Sequence, residues 1–116
     1  MPDTKPEPVF TVDVAVEGGT AVVRCNGKLV TGTISVLQEE VRRLIPQYRR
    51  IVLQMANVSR MDSTGIGAVI GLYVSARRAH SSLELVSFSD AIRKMLTASR
   101  LLELLEACGQ ASIPIT

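Results

Sequence analysis

From Val9 onward the chain alternates between two kinds of hydrophobic pattern. Val9–Val16 (VFTVDVAV) and Thr20–Cys25 (TAVVRC) are rich in β-branched residues and are split by Glu17-Gly18-Gly19, which predicts a β-hairpin. Asn26-Gly27 marks a second turn or a bulge before Lys28–Val30. The period then changes. Over Thr33–Leu44, Ile34, Leu37, Val41, Leu44 and Ile45 fall on one stripe while Gln38, Glu39, Glu40, Arg42 and Arg43 take the other face, so a helix is expected there, ended by Pro46. Ile51–Met55 (IVLQM) is a short, mostly apolar run that fits a strand near the middle of a sheet. Ile66, Val69, Ile70, Tyr73 and Val74 return to helical spacing as far as about Ala79, with Arg77-Arg78 at the end the helix dipole favours.

After a loop at His80-Ser81-Ser82, Leu83–Phe88 is expected as a further strand, and Ser89 as the N-cap of a helix through Ala91–Leu96. Leu101, Leu102, Leu104 and Leu105 fit either a last helix closed near Gly109 or the first residues of a final strand. Prolines at positions 2, 6 and 8 deny the donors a strand would use, so residues 1–8 read as a flexible tail and residues 9–116 as one domain. Strands alternating with helices after an opening hairpin give an α/β domain with a mixed sheet.

Composition narrows the function classes. With 116 residues and 47% apolar content there is material for one real core. The formal charge is only +2, no long basic run occurs, Trp is absent, and Phe10, Phe88, Tyr48 and Tyr73 are the only aromatics, so direct nucleic-acid binding is not expected. Cys25 and Cys108 lack the spacing of a zinc or redox motif and read as buried thiols in a reducing compartment. No leader-like apolar stretch and no run of 18 apolar residues is present, which points to a cytoplasmic protein without a membrane span.

The candidate chemistry lies in SRMDSTGIGAVIG, Ser59–Gly71, where a carboxylate, two hydroxyls and two glycines fall within six residues at the corner between the Ile51–Met55 strand and the long helix. Asp62 or Ser63 can cap that helix, an interaction worth about 1 kcal/mol. Capping leaves Gly65, Gly67 and Gly71 unexplained, since each glycine inside a helix costs up to about 1 kcal/mol against alanine. Close packing, a partner, or a phosphate approaching the bare backbone would each supply a reason.

A catalytic serine needs a base within reach. The single histidine, His80, lies about 25 Å away along the expected helix, so no catalytic residues are assigned. No metal site is expected, because no His or Cys cluster exists and Asp62 has no second carboxylate near it in sequence. The glycines are spaced G-x-G-x-x-x-G, which is neither a dinucleotide fingerprint nor a Walker A loop, so no cofactor is expected either. The remaining reading makes the hydroxyl a substrate: a phosphate on Ser63 would place about 1.5 to 2 negative charges at a helix N-terminus, tolerable to the fold but repulsive to a partner docking there.

RRIVLQMANVSRMDSTGIGAVIGLY resembles the core signature of the STAS domains of bacterial anti-sigma factor antagonists, in which an apolar strand and short linker lead through D-S-[ST]-G-[LI]-G into a helix. LELVSFSDAIRKMLTASRL resembles the strand and helix that follow in that family, and with NGKLVTGT the similarity runs over roughly Val9–Leu105. The resemblance implies a STAS-like single domain, with a mixed sheet of four to five strands opening on a hairpin and packed against three to four helices. It implies Ser63 as the phosphoacceptor, with Thr64 the poorer candidate, and a partner surface of Asp62, Ser63, Thr64, Gly65, Ile66, Gly67, Val30 and Thr31. Gly65 and Gly67 would keep the helix start open to the partner. The implied partners are an anti-sigma factor that is also a serine kinase, and a serine phosphatase that reverses the modification. The sequence departs from the family at Val30, which stands where antagonists commonly carry the aspartate of G-x-L-D, and a non-switching adaptor subunit of a stressosome-like or lipid-transport ATPase complex is the alternative function. Oligomeric state is left open.

Overall fold

The structure, a computed structural model, describes residues 10–98, with side chains through residue 94. Four strands and three helices occupy that range in the order β1 (Phe10–Glu17), β2 (Thr20–Leu29), α1 (Ile34–Leu44), β3 (Arg50–Met61), α2 (Ser63–Arg78), β4 (Ser82–Val86) and α3 (Asp90–Ala98). The strands form one sheet in sequence order, with β1 antiparallel to β2 and the other two pairings parallel. This is the expected mixed α/β sheet opening on a hairpin. The expectations for the residue 1–8 tail, for Val9, for Cys108 and for the Leu101–Leu105 segment lie outside the described residues.

Because β2–β3 and β3–β4 are parallel, each is bridged by a helix, α1 and α2 respectively. The two helices pack against each other, α1 also against β1 and β2, and α2 against β3 and β4, which places both on one sheet face. Val23 and Cys25 of β2, Ile51, Leu53 and Met55 of β3, and Leu83 and Leu85 of β4 meet Leu37, Val41, Leu44, Ile66, Val69 and Leu72 in the buried core between them. The stripe expected on α1 is the face that is buried, with Ile34 at its margin. Burial raises the Cys25 thiol to about 12, so it stays protonated and inert near neutral pH.

Two strands are longer than their apolar runs. β2 continues through Asn26-Gly27 to Leu29, so these residues are a bulge and not a turn; the register with β3 shifts between Arg24 and Asn26 and again between Gly27 and Lys28. β3 runs on from Met55 to Met61, six residues beyond the expected end. The irregular register breaks the alternation there, burying Val58 and Met61 while Ala56, Asn57, Ser59 and Arg60 are exposed, so the period-2 signal disappears although the ladder persists. β4 is instead shorter: Ser87 takes φ +62°, turning the chain out of the sheet and sending Phe88 into the core. Ser89 caps α3 as expected, its hydroxyl accepting the Ile92 N–H at 3.3 Å. Among the described residues no helix is long and apolar enough to cross a membrane.

α2 closes with the Ser81 N–H on the Ala76 carbonyl at 2.8 Å and the His80 N–H on the Arg77 carbonyl at 3.1 Å, which puts His80 in the left-handed position with φ +60°. Glycine is the residue that position favours. His80→Gly is therefore expected to raise stability by about 0.5–1 kcal/mol, read as a higher denaturant midpoint at unchanged slope.

Candidate functional site

The extra length of β2 and β3 carries both strands to one corner, where Leu29 pairs with Met61 and the next residues of each leave the sheet. After β2 the chain turns through residues 30–33, with the Thr33 N–H on the Val30 carbonyl at 3.0 Å and Gly32 at φ +95°, a sign of φ that an L side chain rarely adopts. The Thr33 hydroxyl pins this turn. It donates to the Lys28 carbonyl at 2.7 Å and accepts the Val30 N–H at 3.0 Å, and it makes no capping bond to α1.

After β3, Asp62 is the N-cap of α2, the first of the two candidates read from the sequence. Its Oδ1 accepts the Gly65 N–H at 2.9 Å, while Oδ2 accepts the Thr31 N–H at 3.0 Å and lies 3.2 Å from the Thr31 hydroxyl. One carboxylate thus caps the helix and ties it to the β2–α1 turn. The Thr31 hydroxyl also lies 3.0 Å from Thr64 Oγ1, which engages Thr64 in the same network. The backbone hydrogen bond from Thr31, then that from Gly65, holds the Asp62 carboxyl below the usual aspartate range against an opposing effect of desolvation.

Ser63 differs from its neighbours. It is the first residue of α2, it is exposed, and among the described residues its hydroxyl has no hydrogen-bond partner. Thr64 and Val30 are half-buried and Thr31 is exposed, so the structure brings the two turns together as one surface. Ile66, expected on the partner surface, is only 2% exposed and belongs to the core. Gly65 is also buried, and its role is corrected: a Cβ there would sit 2.2 Å from the Leu29 carbonyl oxygen. Close packing against the end of β2, not access for a partner, requires that glycine. Gly67 and Gly71 are different, because a Cβ at either meets nothing within 4 Å and both are exposed. Spaced by four, they continue the line of Ser63 along one face of α2. His80 lies at the far end of α2, 16 helical residues from the corner, too distant to serve Ser63 as a base.

The sequence reading placed Thr33 at the start of the first helix without its hydroxyl's role in pinning the turn, and it missed the Leu29 carbonyl. The hydroxyl of a threonine five residues past Gly27-Lys28 carries no periodic signal, and a backbone carbonyl carries none at all.

The STAS domain profile matches residues 11–111. The chain is 25% identical over 102 residues to the anti-sigma-B factor antagonist of Bacillus subtilis strain 168, covering 88% of this chain and 94% of that one. Its fold is similar to the Bacillus cell fate determinant SpoIIAA in its phosphorylated form, with a TM-score of 0.61 at 24% identity over 79% of this chain and 84% of that one. It is also similar to part of the murine anion transporter Slc26a9 in its inward-facing state, with a TM-score of 0.68 at 14% identity, covering 90% of this chain and 20% of that one.

Two glycines two residues apart should therefore respond in opposite senses. Gly65→Ala is expected to destabilise the domain by about 1–3 kcal/mol through overpacking on the Leu29 carbonyl, whereas Gly67→Ala should stabilise it by up to about 1 kcal/mol through helix propensity; thermal or urea unfolding checks both. Asp62 gives a pH signature. Its folded pKa lies below the unfolded value, so its stabilisation is full above about pH 4 and is lost as pH falls through the folded pKa. The stability gap between wild type and Asp62→Asn should accordingly be largest near neutral pH and narrow below about pH 4 in acid-unfolding curves.

Proposed function

The chain belongs to the STAS domain family, and from that premise we propose that it is an anti-sigma factor antagonist whose partner affinity is switched by phosphorylation of Ser63. The observation that carries this reading is the state of the Ser63 hydroxyl: exposed, unbonded, and first in a helix whose cap is supplied by the residue before it. A kinase can reach it without unfolding anything. Thr64, whose hydroxyl contacts Thr31, is the poorer acceptor because modification would break that contact.

Asp62 already occupies the Gly65 amide and Ser63 is exposed, so a phosphate on Ser63 has room outside the N-terminus of α2 without displacing the cap. The domain keeps its fold while the docking face acquires a dianion. An anti-sigma factor that docks on Asp62, Ser63, Thr64, Gly67, Gly71 and the Val30–Thr31 turn then meets bulk and charge at the centre of its interface. Release of the anti-sigma factor's own target follows from binding of the unmodified form, and a serine phosphatase resets it. A second reading, a STAS adaptor without a switch, is favoured by Val30, which leaves the turn without the acid that antagonists commonly present there.

Incubation with a cognate serine kinase and ATP should add one phosphate to the wild type and none to Ser63→Ala, read by intact mass. In pull-downs Ser63→Asp should lose about 2–3 kcal/mol of partner affinity, tens-fold to hundreds-fold. Phosphate persisting in Ser63→Ala sinks the assignment, and undiminished binding by Ser63→Asp selects the adaptor.

A further inference from the structure

Lys28 and Arg60 stand opposite each other in the parallel β2–β3 register, one step before the Leu29–Met61 pair. Leu29 and Met61 are buried, whereas Lys28 and Arg60 are both exposed. Like charges opposed across strands are unfavourable without a counter-charge. Among the described residues neither has one: the ion pairs there are Arg43 with Glu40 and Arg50 with Glu84. The nearby carboxylates Asp62 and Asp13 form no ion pair with either cation; they accept hydrogen bonds from Thr31 and Gly65, and from Asn26 Nδ2 at 3.1 Å, respectively.

Four other exposed cations have a local explanation. Arg42, Arg43, Arg77 and Arg78 occupy the last turns of α1 and α2, where the helix dipole favours positive charge. Nothing in the fold accounts in this way for Lys28 opposite Arg60. Both strands, moreover, run directly from these residues into the corner, reaching Thr31 three positions after Lys28 and Ser63 three positions after Arg60.

We propose that the Lys28–Arg60 pair is a docking point for a carboxylate-bearing segment of the protein that engages the Ser63 corner; this rests on reading that corner as a partner surface. Arg60 offers a planar fork suited to a carboxylate and Lys28 a mobile point charge beside it. Two cations fall short of the clusters of four to eight that hold an anionic membrane. A nucleic acid would require a basic stripe and stacking aromatics, which a chain of formal charge +2 without Trp does not provide. A free phosphate would seek helix amides, and the Gly65 amide of α2 is taken by Asp62.

The test uses the full chain, isotope-labelled, titrated with a short polyglutamate peptide at low and at physiological salt while backbone amide shifts are followed. Shifts are expected to centre on residues 27–31 and 58–62, to weaken with salt, and to fall roughly tenfold in apparent affinity in Lys28→Gln/Arg60→Gln. Both side chains are exposed and their mutual repulsion is relieved, so this double variant should be folded and at least as stable as the wild type, and Lys28→Glu/Arg60→Glu should take polylysine in place of polyglutamate. Shifts centred on Arg42, Arg49 and Arg78, equal binding by the Gln double variant, or an equal response to inorganic phosphate or to anionic vesicles in place of the peptide would each overturn the proposal. If Ser63→Asp loses the anti-sigma partner while the Gln double variant binds peptide normally, only the cation pair fails. If Ser63→Asp keeps the partner while the peptide maps to Lys28 and Arg60, the switch fails and the docking point stands.

Discussion

The corner depends on one steric constraint: the first turn of α2 lies so close to the end of β2 that the third residue of the helix can carry only hydrogen. A Cβ on Gly65 would penetrate to 2.2 Å from the Leu29 carbonyl oxygen, deeper than any rotamer change can relieve, because the obstacle is backbone. From that contact the rest of the site follows. It brings the residue 30–33 turn within hydrogen-bond range of Asp62, so one carboxylate can cap a helix and anchor a neighbouring loop together. It also requires β2 and β3 to extend well past the last β4 pair, at Gln54 and Val86, since the contact is made at the far end of both strands.

The same constraint explains which parts of the domain were legible in its sequence. The α1 stripe, the hairpin and the apolar cores of β3 and β4 announce themselves because burial on one face imposes a period. Asp62-Ser63 as a helix start and Ser89 as a cap were legible because capping uses few residue types at fixed offsets. The extensions were not. From Asn26 to Leu29 and from Ala56 to Met61 the pairing survives through register shifts while the inside–outside alternation is broken, so residues that a period-2 reading assigns to a turn or linker are strand. Glycines were legible as anomalies but not as causes. Gly65 and Gly67 look alike in a helix, yet one abuts a carbonyl and the other faces open space, a distinction of tertiary distance that sequence spacing does not carry. Ile66 carried two readings, a place on the apolar stripe with Val69 and Tyr73 and a place on the partner surface implied by the motif, and its side chain turns inward with the stripe.

The electrostatics of the corner divide between charges that hold the fold and charges that remain for other molecules. Asp62 belongs to the first kind. Its two oxygens accept from Thr31 and Gly65, and those bonds keep its carboxyl below the ordinary range, so it stays ionised while it ties the turn to the helix. With Asp62 half-buried and Val30 uncharged, the fully exposed charges near the corner are the opposed cations Lys28 and Arg60.

That division bears on how a phosphate at Ser63 would act. A dianion entering a surface that carries the two cations Lys28 and Arg60 against the one carboxylate of Asp62 changes the sign of the local field and does not merely deepen it. A partner selected for carboxylates by Lys28 and Arg60 is the partner such a sign change would repel most strongly, because its own negative groups would then face the phosphate. The two proposals are thus coupled through charge alone. The switch needs no movement of α2 or of the residue 30–33 turn, since charge alone alters what a partner meets there.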